Sequence, residues 1–140
     1  MDKQIKDFFE KRLLRKIEVD VEKVKNSMRI AESKLVEAKK LFKAEFFSQA
    51  VLAVYTSMFH IARALLYKEG IQEKSHYATY KYLESKFSDK ITSSSLSAFD
   101  CYREIRHEIL YGFEEIINSA EAEEAILNAE NFLGEIKRIL

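Results

Sequence analysis

Not one proline interrupts this chain, and only three of its 140 residues are glycine. Proline clashes within a helix and removes a backbone donor, and glycine loosens a helix entropically. A chain with so few breakers is predicted to be all-helical. Its length suits one domain with a single core. A 47% hydrophobic content excludes intrinsic disorder, and 33% charged residues supply a solvated surface.

Apolar periodicity places the helices. Residues 3–16 form a short basic amphipathic piece with Ile5, Phe8, Phe9, Leu13 and Leu14 on one side. A long helix over 18–44 carries Val21, Val24, Met28, Ala31, Leu35, Ala38 and Leu41 at spacings of three and four, the one-sided stripe of a bundle helix. The next, 49–69, is apolar nearly all round and should be the most buried, with Ser48 as its N-cap and Gly70 ending it. After a loop at 71–74, Ser75 caps a shorter helix to Phe87. The serine-rich stretch 88–97 leads into a helix over 95–113, and Asn118 with Glu121 has capping-box form for a last helix to Ile139. The expected architecture is an antiparallel up-and-down bundle of about five helices, four long ones with the N-terminal piece. Residues 1–17 are an extension, and 18–140 are the bundle domain.

Net charge is zero, which removes any bulk attraction to nucleic acid or membrane. The charge is uneven, with thirteen Lys/Arg against nine Asp/Glu in residues 1–48 and two against seven in 114–140. Basic early and acidic late helices are therefore placed to attract each other, within a bundle or between subunits. The single cysteine, Cys101, fits a reducing cytoplasm, and the charged N-terminus lacks the apolar core of a signal peptide. No apolar run is expected to reach the roughly 20 residues that cross a bilayer. No histidine or cysteine has a metal-ligand neighbour at useful spacing, and there is no glycine-rich phosphate loop, so neither metal nor cofactor is expected.

The segment Tyr102–Phe113, YREIRHEILYGF, concentrates the chemistry. At ~100° per residue, Arg106 falls within the apolar arc of Phe99, Tyr102, Ile105, Ile109, Leu110 and Phe113. A buried arginine needs an acid, a second subunit or a ligand phosphate to face it. Arg103, His107 and Tyr111 form a row at i, i+4 and i+8, suited either to holding a phosphate and moving a proton or to edging a helix contact. On the central helix Thr56, His60, Arg63 and Tyr67 share one stripe, with the same two readings. Lys74, Ser75 and His76 sit at a helix start, where anions are favoured.

The segment Ser48–Leu83, SQAVLAVYTSMFHIARALLYKEGIQEKSHYATYKYL, closely resembles the small prokaryotic HEPN domain proteins. MFHIARALLYKEG, followed by KSH, is its most specific part. LFKAEFFSQA before it and RHEILYG after it come in the family's order, so the likeness spans roughly residues 20–138. The resemblance implies an up-and-down bundle, usually a homodimer, often encoded with a minimal nucleotidyltransferase as a toxin–antitoxin pair. Active HEPN ribonucleases carry an arginine, four to six residues, then a histidine, and two chains bring these together in a cleft that cuts RNA without metal. Here Arg106 matches the arginine, but Tyr111 follows where histidine is expected, and His107 directly adjoins Arg106. Adjacent helix positions diverge by ~100°, so the pair is not a simple substitute for that motif.

Three readings follow. The first is the HEPN component of a nucleotidyltransferase-linked module, binding nucleotide or RNA phosphate at a dimer cleft through Arg103, Arg106, His60 and Arg63. The second is a divergent metal-independent ribonuclease using Arg103 or Arg106 with His107, and with Tyr111 as a further catalytic candidate. The third is a structural helical dimer.

Overall fold

The computed structural model describes residues 2–112 and 116–140. In chain order they form α1 (Lys3–Glu10), β1 (Leu14–Lys16), α2 (Val21–Lys43), α3 (Phe47–Lys68), β2 (Ile71–Glu73), α4 (His76–Phe87), α5 (Ser93–Tyr111) and α6 (Ser119–Ile139). The all-α expectation holds. Among the described residues there are six helices where about five were expected, since the short α4 adds to the four long ones and α1; Ser75 caps α4 as expected by accepting from the Ala78 N–H.

α3 is the axis of the bundle. Ile61, Leu65, Leu66 and Met58 are all fully buried, each contributing roughly 1.5–3 kcal/mol by leaving water. α2, α5 and α6 all pack on it. Small residues let α2 approach closely: Ala31 and Ala38 are fully buried, Ser57 Oγ donates to the Ala31 carbonyl, and Ser27 Oγ donates to that of His60. The basic early helix does meet the acidic last one, through Lys39–Glu130, although a second tie, Lys137–Glu32, runs the other way. By length and hydropathy alone α3 is able to cross a membrane, which corrects the expectation that no stretch would qualify; in the bundle 67% of its most apolar window is buried. Its N-cap is Phe46, which makes no side-chain cap bond, rather than Ser48. The preceding residue, Glu45, has φ 65° and makes the tight turn from α2.

The N-terminal piece is not one helix. α1 stops at Glu10, Arg12 takes φ 60°, and the chain continues as β1. β1 runs antiparallel to β2, pairing Leu14 with Glu73, Arg15 with Gln72 and Lys16 with Ile71. The expected loop at 71–74 is therefore largely a strand. Side-chain burial accounts for this, since Leu14 is fully enclosed and Ile71 nearly so. Gly70, at φ +73°, turns the chain out of α3 as the C′ residue. The Asn118–Glu121 capping box opens α6 as expected. α5 begins two residues early, because Thr92 caps it, and ends at Tyr111 with Gly112 as its C-cap; Phe113, the last residue expected in it, lies outside the described ones.

Candidate functional site

α5 carries Arg103 and Arg106 onto the bundle and His107 and Tyr111 away from it. Arg106 is half-buried, and its guanidinium carbon lies 5.9 Å from the centroid of the Tyr55 ring on α3. The group expected to face it is thus an aromatic π face and not an acid. Among the described residues no carboxylate pairs with Arg106. Arg103 differs, because its Nε and terminal nitrogen hold Asp100 Oδ1 at 2.9 and 2.8 Å, and its guanidinium covers the Tyr77 ring at 5.2 Å.

His107 is exposed and contacts Tyr111, with ring centroids 5.1 Å apart and Tyr111 70% exposed. The i, i+4 spacing makes that contact. The ~100° step between neighbours separates His107 from Arg106. The candidate set Arg106, His107 and Tyr111 is thus split, with Arg106 on the bundle side of α5 and the other two exposed.

The stripe on α3 is also divided. Arg63 Nε donates to Glu73 of β2, a carboxylate only 7% exposed, and its guanidinium sits over Phe59 and Tyr67. Burial would lower the Arg63 pKa, but Glu73 outweighs it and the net direction is upward. His60 has a buried Nδ1 with no hydrogen-bond partner. Burial, together with Arg63 and Lys34, lowers its pKa against the opposing pull of Glu73. Thr56 donates back to the Leu52 carbonyl.

Two further residues join Arg106. His76, the first residue of α4, has Nδ1 2.8 Å from the Tyr55 hydroxyl, and its ring stacks on Phe59 with centroids 4.1 Å apart at 10°. Tyr55 and Phe59 are one turn apart on α3, so a single helix face both orients and supports the imidazole. Burial lowers the His76 pKa first; Arg106, Arg63 and Arg103 act in the same direction and Glu73 opposes them. Burial raises the Tyr55 pKa more than Arg106 and Arg103 lower it, so its hydroxyl stays protonated. The arrangement offers a cation, a neutral imidazole and a phenol around one aromatic ring. It is suited to holding an anion and exchanging a proton with it.

Sequence reasoning placed His76 at a helix start but did not join it to Tyr55. No periodicity relates residues on two different helices. The KSH segment was the available signal, and its meaning depends on how α4 folds back on α3.

Comparison with known proteins agrees with this architecture. The HEPN domain family matches residues 24–139, from α2 to the end of α6. A protein of Methanocaldococcus jannaschii named "Putative toxin MJ0605" is 30% identical over 129 residues, covering 85% of this chain and 90% of its own length. With the family match spanning nearly the whole bundle, the chain belongs to the HEPN domain family.

Proposed function

We propose that this protein is the HEPN component of a toxin–antitoxin module linked to a minimal nucleotidyltransferase, and that it binds nucleotide or RNA phosphate at a cleft between two copies. One observation carries the reading. Arg63 and Arg103 are neutralised by Glu73 and Asp100, whereas Arg106 rests on a tyrosine face with no carboxylate partner among the described residues. A guanidinium held this way keeps its charge for an anion from outside, and its planar fork suits phosphate. His60 and Arg63 then shape the neighbouring wall, and Arg103 borders the site through Tyr77.

The two-copy arrangement draws support from the exposed apolar groups where α5 ends and α3 begins. Phe46 is 55%, Leu110 46% and Ile116 87% exposed. Phe46 and Ile116 line one groove with Ile109 and Ile117, a surface that a second copy would cover. In this reading the HEPN unit is 18–140, and residues 1–17 are an extension packed onto it. The name of the Methanocaldococcus relative supports the toxin side of the module.

The experiment is to titrate the purified protein with adenosine 5′-monophosphate and with a short single-stranded RNA, and to measure its mass in solution. Arg106→Ala should weaken binding by about tenfold or more, the loss of a charge-assisted contact. Unchanged affinity in Arg106→Ala, or a strictly monomeric protein that binds neither ligand, overturns the proposal.

A further inference from the structure

We propose that His76 of α4, mounted on Tyr55, is the imidazole that works beside Arg106 in binding the ligand's phosphate. This rests on the anion-site reading above and names a residue that reading does not contain. Three geometric facts carry it.

First, the His76 ring is held twice by α3, by a 2.8 Å hydrogen bond between the Tyr55 hydroxyl and Nδ1 and by face-to-face stacking on Phe59. Second, Arg106 approaches from α5 onto the same Tyr55 ring, which is itself only 1% exposed and stacks on Phe99 beneath. One buried, rigid tyrosine therefore fixes an imidazole and a guanidinium contributed by two different helices. Third, among the described residues only Nδ1 of His76 has a hydrogen-bond partner. A phenol that donates to Nδ1 leaves the imidazole proton on Nε2, as a donor with no partner among those residues. His107 has none of these supports: it is exposed and touches Tyr111.

The charges around His76 give a second, independent consequence. Facing it are Arg63 and Tyr55 of α3, Glu73 of β2, and Arg103 and Arg106 of α5. Burial and three arginines against one carboxylate keep the free imidazole neutral. A bound phosphate adds negative charge there and pulls the His76 pKa up, so binding takes up a proton. For a phosphodiester ligand such as the short RNA, whose own backbone charge is constant over this range, affinity should rise as pH falls from 8 to 6.

The test uses the full chain, with adenosine 5′-monophosphate and inorganic phosphate as probes. Histidine ring resonances are followed by NMR between pH 6 and 8, and affinities are measured for His76→Ala, His76→Gln, Tyr55→Phe, His107→Ala and Arg106→Ala. Circular dichroism checks that each variant folds. The expected result is a ligand-induced shift of the His76 resonance with an upward move of its titration. Affinity should fall about tenfold in both His76 variants and by a smaller factor in Tyr55→Phe, which keeps the ring under Arg106 but frees the imidazole. If Arg106→Ala loses binding while both His76 variants retain it within about twofold, the anion site stands and this proposal fails. Weakening in His107→Ala alone overturns it too. If the wild type binds neither of these probes nor the short RNA, both readings fall. The wild-type resonance shift decides the matter even if every His76 variant misfolds.

Discussion

Glu135 is the most informative residue for testing how this bundle holds together. It lies on α6, 7% exposed, and accepts hydrogen bonds from the Thr92 N–H at 2.8 Å and from the hydroxyl of Ser95, itself 4% exposed. The carboxylate therefore caps α5 from a neighbouring helix, at the end where the helix dipole favours negative charge. Burial alone would raise its pKa, but the bonds from Ser95 and Thr92, with Arg138 nearby, outweigh burial and hold it below the ordinary glutamate range. Glu135→Ala removes two charge-assisted bonds and strands a buried hydroxyl; the exposed Thr92 recovers part of the loss through water. Together these give about 3–4 kcal/mol at pH 7, and Glu135→Gln, which keeps one acceptor, about 1–2 kcal/mol. The assay is urea unfolding of wild type, Glu135→Ala, Ser95→Ala and the double variant. Coupling between the two positions should be about 1 kcal/mol or more. Because the folded pKa is depressed, the contribution is fully present above the unfolded value of about 4.3 and is lost as pH falls through the folded one. The gap between wild type and Glu135→Gln should therefore close in acid. Additive single variants, or a gap that does not narrow as pH falls below the unfolded value, would refute the reasoning.

Two further outcomes concern the segment that leads into α4. Arg63→Met leaves Glu73 buried with, among the described residues, only the Gln72 Nε2 side chain donating to it, and should destabilise by about 2–3 kcal/mol; adding Glu73→Leu should restore most of that in the same unfolding assay, and a failure to restore would show that packing rather than charge was lost. Gly70→Ala forces a side chain into φ +73° with its Cβ 3.0 Å from the Ile17 carbonyl oxygen, so a loss of about 1–2 kcal/mol is expected, and unchanged stability would count against the turn described.

The long helices were legible because burial in a bundle writes a repeat into the sequence. Ala31, Leu35 and Ala38 sit at that repeat in α2 and are the residues that pack inward. Capping at Ser75 and Asn118 was legible for a similar reason, since the cap and the N–H groups it satisfies are three residues apart. Features that depend on distant partners were not. Leu13 and Leu14 continue the apolar side of α1 in sequence, yet Leu14 belongs to a strand whose partner lies beyond α3. Arg106 stood out correctly as an odd residue on an apolar face, but its neighbour proved to be Tyr55. The sites of His60 and Arg63 were visible as a stripe, while the carboxylate that answers Arg63 came from β2.

The β1–β2 ladder also bears on the order in which the molecule assembles. β1 is made before any of α2, α3 or β2 exists, so Leu14 has no place to be buried at that stage. The α2–α3 hairpin is local in sequence and closes readily, whereas joining the two strands requires a long loop to be drawn shut first. Docking of α1 and β1 is thus a late event. It grips the chain on both sides of β2, through Ile17 N–H to the Gly70 carbonyl and Lys74 N–H to the Leu13 carbonyl. Glu73 and His76 lie within or just past that grip. The polar cluster beneath Arg106 reaches its final geometry only when α1 and β1 close over a segment made much later.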